Sequence, residues 1–170
     1  MLSSLWKKKA AKIVGIDIGS HEVKAVLLGQ NEQGYVLEDF AIESMPRGAV
    51  VDREIQDIEA VGQIISKLRK KIPSSVKDCA AAVSGQTVIT KVIYMDASLN
   101  EDDLANLIEI EADSLIPFPL DEVSLDFETL GINEADPSKV NVLLSAARTE
   151  SIAARVSALE NGGFKTKVVD

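Results

Sequence analysis

The run Ile13-Val14-Gly15-Ile16-Asp17-Ile18-Gly19-Ser20-His21-Glu22-Val23-Lys24-Ala25-Val26-Leu27-Leu28 decides how the rest of the chain is read. It is an apolar strand, a tight turn and a second apolar strand. The first part is mostly β-branched and too short for a helix, which predicts a buried strand. Asp17 interrupts it just before the turn, where an apolar side chain would pack better. A carboxylate at the end of a buried strand is costly to desolvate unless something positive faces it. Gly19 lets the backbone pass close to a ligand, and the N–H groups of the turn, with the Ser20 hydroxyl, can then meet phosphate oxygens. Lys24 on the returning strand supplies the counter-charge, and Asp17 would hold a Mg²⁺ through water. His21 at the tip either donates to a phosphate or is an exposed turn residue. Taken alone, the same letters also fit a plain edge hairpin with a polar turn, because short glycine motifs recur by chance.

The totals bound what can be built around this hairpin. With 170 residues, 46% hydrophobic and 26% charged, the chain can bury a sizeable core in one domain or two small ones. A formal charge of −9 argues against nucleic acid as a partner, since such binders usually present a basic face. The charge is also uneven. Residues 1–77 carry 12 basic and 10 acidic side chains, whereas residues 78–170 carry 6 and 17, which suggests two units with different surfaces. Cys79 is the only cysteine, so a disulfide framework and a thiolate metal site are both excluded, and a reducing compartment fits. No apolar run approaches the roughly 20 residues of a membrane span.

The chain opens with Leu2, Leu5 and Trp6 ahead of Lys7-Lys8-Lys9. That order is the reverse of a secretory signal and reads either as a terminal tail or as a weak anchor on anionic lipid. Beyond the hairpin, Tyr35 to Met45 is a third strand after the turn signal Asn31-Glu32-Gln33-Gly34. Asp52 is the expected N-cap of a helix bearing Ile55, Ile58, Val61, Ile65, Leu68 and Ile72 in one stripe, closed by Pro73. Lys67, Arg69, Lys70 and Lys71 load its last turn, as a solvated helix end or as a basic patch. Asp78 to Gly85 is a strand of small residues suited to a central position, with Cys79 as a core filler.

A second unit is expected from the acidic half. Thr87 to Met95 reads as a strand, and Ser98-Leu99-Asn100-Glu101 as a capping box for a helix that runs to Pro117. The carboxylates Glu109, Glu111 and Asp113 fit a solvated helix face better than a metal site. Strands are expected over Val123–Leu130 and Val140–Ala147, then a helix capped by Thr149 with Ile152, Val156 and Leu159 inward. Asn161-Gly162-Gly163 is its stop, and Phe164 to Val169 the last strand. The expected boundaries are therefore a tail over 1–12, a first subdomain over 13–85, and an inserted β-α-β-β-α-β unit over 86–170.

The D-x-G-S-x-x-x-K hairpin, Asp17 to Lys24, resembles the first phosphate loop of the actin-like ATPase superfamily. The compact insertion after the fourth strand resembles the branch that contains the cell-division protein FtsA. Within that branch the chain is similar to the PilM family of type IV pilus assembly proteins. The similarity rests on Trp6-Lys7-Lys8-Lys9, Gly15-Ile16-Asp17-Ile18-Gly19-Ser20 with Val23-Lys24-Ala25-Val26, and Ala82-Val83-Ser84-Gly85. It also includes Glu109-Ile110-Glu111-Ala112 before Ile116-Pro117-Phe118-Pro119, and Glu160-Asn161-Gly162-Gly163-Phe164. The resemblance implies an α/β fold, in part α+β: an actin/ribonuclease-H-like subdomain carrying an inserted FtsA-type subdomain.

It further implies a cytoplasmic protein at the inner face of the inner membrane. Such a protein would bind ATP with Mg²⁺ through Asp17, Gly19, Ser20, His21 and Lys24, with Asp17 serving the metal. It would hold the N-terminal cytoplasmic peptide of a bitopic PilN-like partner in a groove between the first subdomain and the insertion. Peripheral membrane contact and self-association stay open. Family members are longer, so the chain is expected to be a portion of a protein whose second phosphate loop and adenosine pocket lie beyond Asp170. One loop without its opposing wall implies weak nucleotide binding and no hydrolysis by this piece. Two rival readings remain: a sugar-kinase-type phosphotransferase, and a nucleotide-free platform protein of a secretion system.

Overall fold

A computed structural model describes residues 12–85 and 88–170. The Leu2–Lys9 segment, like Thr87 at the expected start of the second unit, lies outside these described residues. The described chain forms two compact units, each with its own apolar core.

The first unit is organised on a five-stranded mixed sheet. Strands β1 (Ile13–Ile18), β2 (Glu22–Asn31) and β3 (Gly34–Ser44) run antiparallel in succession, as their turn signals require. Next come a two-residue strand pair, β4 (Val50–Val51) and β5 (Glu54–Ile55), and helix α1 (Ile58–Arg69). Strand β6 (Asp78–Ala81) then returns parallel to β1 and beside it. Crossover through a helix is what a parallel neighbour needs.

Alternation along the strands sets the core. Val14, Ile16, Val23, Ala25, Leu27 and Ala41 point to one face and are buried there with Cys79 and Ala81. The stripe Val61, Ile64, Ile65 and Leu68 of α1 closes over them. Of the expected stripe, Val61, Ile65 and Leu68 hold, whereas Ile55 belongs to β5, Ile58 is exposed and Ile72 follows the helix end; the expected cap does not hold either. Asp52 and Arg53 adopt left-handed backbone (φ 50° and 68°) at the tip of the β4–β5 hairpin, so Asp52 cannot begin a helix. Asp57 caps α1 instead, its Oδ1 accepting the Ala60 N–H at 2.9 Å.

The second unit contains strand β7 (Val88–Asp96), helix α2 (Glu101–Leu115), and strands β8 (Val123–Ile132) and β9 (Lys139–Arg148). Its three strands are ordered β7-β9-β8, all antiparallel. Leu104, Ile108 and Ala112 of α2 pack on Val142, Leu144 and Ala146. Here too the cap moves. Asn100 Oδ1 accepts the Asp103 N–H at 2.9 Å, while the Ser98 N–H and hydroxyl both turn back to Asp96 Oδ1. Those two donations hold the exposed Asp96 carboxyl below the usual carboxylate range.

Helix α3 (Thr149–Asn161) and strand β10 (Lys165–Val169) correct the expected boundary. β10 pairs parallel with β6 and completes the first sheet in the order β10-β6-β1-β2-β3. Ala158, Leu159 and Phe164 join the first core. The inserted unit thus ends near Ala153, not at the chain end, and is β-α-β-β, because the edge of β6 is open to a parallel partner and takes β10. Asn161-Gly162-Gly163 does stop the helix, with Gly163 at φ 89° and the Phe164 N–H donating to Leu159 O at 3.1 Å. The inward residues of α3 include Ser151 and Arg155, while Ile152 and Val156 are only partly covered. Among the described residues no helix is long and apolar enough to cross a membrane.

Candidate functional site

The antiparallel register of β1 and β2 places Asp17 directly opposite Lys24. Both lie on the face of the sheet turned away from α1 and α3, because they alternate with Ile16, Val23 and Ala25. The carboxylate expected at the end of a buried strand is therefore well exposed: only one face of β1 is covered, and Asp17 stands on the other at 71% side-chain exposure. Its positive neighbour is Lys24, with Nζ 3.7 Å from Asp17 Oδ2. A pair this open is worth little to folding, so stability does not explain a carboxylate there.

The turn is tight for a physical reason. The Gly19 N–H donates to Glu22 O at 3.0 Å, and a Cβ on Gly19 would lie 3.0 Å from that same oxygen. Gly19 thus serves the close approach within the turn, and its N–H is engaged there instead of facing a ligand. Ser20 and His21 sit exposed at the tip, with Ser20 Oγ and His21 Nδ1 2.9 Å apart. The His21 carbonyl accepts the Met45 N–H at 2.8 Å, tying the tip to the end of β3. All five residues singled out from the sequence are therefore gathered at one end of the sheet: Asp17 and Lys24 on its outer face, Gly19, Ser20 and His21 in the turn beside it.

Two further residues escaped the sequence reading, one at this turn and one at the β4–β5 hairpin. Glu22 lies two positions before Lys24 on the same strand face, and its Oε2 is 3.8 Å from Lys24 Nζ. The period of two along a strand was the available signal. The other is Arg155 on α3, which is buried, donates to Arg53 O and lies 3.7 Å from Glu54 Oε2. Burial pulls its guanidinium below the ordinary value, while Glu54 pulls the other way. An arginine at an inward helical position gives no warning in a periodicity count.

Elsewhere the charged groups have structural work. Arg69, at the basic end of α1, donates to Ile72 O, Pro73 O and Ser74 O and stacks 5.0 Å over Phe164. Lys71 pairs with Glu43 at 2.8 Å. Among the described residues no three histidine, cysteine or acidic side chains converge as a metal cluster, and Glu109, Glu111 and Asp113 are solvent-exposed on α2.

A solved PilM-PilN type IV pilus biogenesis complex contains a chain 27% identical to this one, with a TM-score of 0.81. The match covers 93% of the present chain but 46% of that chain, so the present chain spans less than half its length. A diol dehydratase-reactivating factor in nucleotide-free form (12% identity, 93% and 26% covered, TM-score 0.31) and a glycerol dehydratase reactivase (13%, 93% and 27%, 0.29) are far more distant and add nothing to the reading. The mixed α/β architecture is that of the actin-like PilM fold. A family model described as type IV pilus assembly protein PilM matches residues 15–170, and the chain belongs to that family.

Proposed function

We propose that this chain serves type IV pilus assembly as part of an actin-like scaffold that binds Mg-ATP at the β1–β2 turn and a PilN-like inner-membrane partner through that partner's cytoplasmic N-terminal peptide. The observation that carries the nucleotide part is the pairing of Asp17 with Lys24 across the β1–β2 register, on an exposed sheet face beside a glycine turn. Lys24 would neutralise phosphate oxygens, Asp17 would hold Mg²⁺ through water, and the Ser20 hydroxyl and His21 ring would donate at the tip. ATP supplies the triphosphate whose charge this set answers. The residues fit such a group in type and access: one cation, one carboxylate and two small donors, none sealed under other side chains.

The partner part rests on family membership and on the PilN present in the solved complex of a 27% identical chain. In this reading the partner is bitopic and brings the chain to the inner membrane; the basic segment Lys7-Lys8-Lys9 is suited to anionic headgroups as a second, weak contact.

The direct experiment is calorimetric titration with Mg-ATP of the parent chain and of Asp17→Lys, at the high protein concentration that weak binding requires. Reversing this charge places two cations together and repels the metal, so binding is expected to fall below detection while the circular dichroism spectrum is unchanged. Equal affinity in the two proteins removes Asp17 from the site. A synthetic peptide from the N-terminus of a PilN-like protein should raise the melting temperature in both, since the peptide does not depend on Asp17.

A further inference from the structure

Lys24 is not held by Asp17 alone. Its ammonium lies between two carboxylates, 3.7 Å from Asp17 Oδ2 and 3.8 Å from Glu22 Oε2, and all three side chains share the outer face of the sheet. The backbone that carries Glu22 is well fixed. The Glu22 carbonyl accepts the Gly19 N–H that closes the turn, and the residue pairs with Ser44 on β3. The trio carries a net charge of −1. An incoming anion therefore meets a lysine already engaged and a locally negative surface, which is the wrong sign for a bare phosphate.

We propose that Glu22 is a negative regulator of the phosphate site. It holds the Lys24 ammonium at the turn and competes for it with the incoming anion. The inference rests on the reading that Lys24 serves phosphate, and it adds a selectivity. An anion arriving with its own divalent cation brings a partner for the carboxylates and so releases Lys24, whereas a metal-free anion has nothing to exchange. Glu22 thereby favours metal-complexed nucleotide over free nucleotide, acting as a positioning residue through Lys24.

Two measurements on the 170-residue chain decide this. In the first, the acylation rate of Lys24 by an N-hydroxysuccinimide ester is followed by mass spectrometry in the parent and in Glu22→Gln, with no nucleotide present. Release of one exposed ion pair should speed the reaction about two- to fivefold. An unchanged rate overturns the tether whether or not nucleotide binds. The second measurement is affinity for ATP, with Mg²⁺ and with EDTA, by fluorescence titration of a labelled analogue. Glu22→Gln should bind both forms more tightly, with the larger gain for metal-free ATP, and the gain should shrink as salt rises. A merely structural role for Glu22 would leave the ratio of the two affinities unmoved, and that result overturns the selectivity. Lys24→Ala separates the levels: if it binds Mg-ATP as the parent does, the phosphate reading itself fails, while the acylation rate still judges the tether.

Discussion

Val14 and Ile16 on one face of β1 are sealed beneath α1 and α3, whereas Ile13 and Asp17 on the opposite face lie open. The same division runs through β2 and β3. Val23, Ala25, Leu27 and Ala41 are buried, while Lys24, Val26, Leu28, Phe40 and Ile42 are exposed. One set of strands thus supplies a packing surface and an open surface that carries the proposed phosphate site, separated only by the alternation of side chains. The lesson is energetic. Substitutions on the covered face should act on stability, and those on the open face on ligands.

The largest expected effect is on the covered face. Ile65 of α1 is fully buried against the sheet, and Ile65→Ala should cost about 2–5 kcal/mol in urea unfolding. Phe40→Ala, on the open face at 61% exposure, should cost less than about 1 kcal/mol. Similar losses at the two positions would break the comparison, because Phe40 would then have to be covered in solution.

Next is Gly162, where a Cβ would lie 2.2 Å from Ile65 Cγ2 and 2.6 Å from Ile65 Cβ. Gly162→Ala should destabilise by about 1–3 kcal/mol through overpacking, and combining it with Ile65→Ala should recover part of that loss. Removal of the observed cap, Asp57→Ala, should cost about 1 kcal/mol, and Asp52→Ala much less. If Asp52→Ala proves the more damaging, the hairpin tip and not the helix start is the sensitive element.

Smaller still is the effect of Lys24→Ala on stability, expected within about 0.5 kcal/mol, since the pair it breaks is exposed. Its effect on Mg-ATP affinity should be large, and that contrast is the sharpest statement of the two-face division.

The last prediction concerns pH. Burial raises the Cys79 thiol, outweighing the opposing contact with Thr166 Oγ1 at 3.9 Å. A raised folded value means no contribution while the thiol is protonated in both states. Stability is then lost as pH climbs past the ordinary thiol range, where only the unfolded chain ionises. The alkaline decline in melting temperature should be shallower in Cys79→Ala than in the parent, and native Cys79 should react slowly with Ellman's reagent.

Much of the fold was legible because it is local. Strands β1 to β3 announce themselves by β-branched runs and turn residues, and α1 and α2 by apolar residues at three- and four-residue steps. The two cap errors have one cause. Several side chains near each helix start can cap it, and the choice between Asp52 and Asp57, or Ser98 and Asn100, depends on a neighbouring hairpin or turn that no local pattern records. The five candidate residues are legible as a motif, whereas Glu22 lies at one of its variable positions and joins the site only through the strand face it shares with Lys24.

The chain's own letters determined its family, its two acidic and near-neutral halves, its run of strands and helices, and the hairpin from Asp17 to Lys24. Tertiary structure alone decided where β10 belongs, which face of β1 is covered, and that Lys24 stands between two carboxylates. The reason is physical. Periodicity and turn chemistry act over a few residues, whereas strand order, exposure and ion pairing depend on which distant segments meet, and those contacts pay their loop entropy only when the whole unit closes.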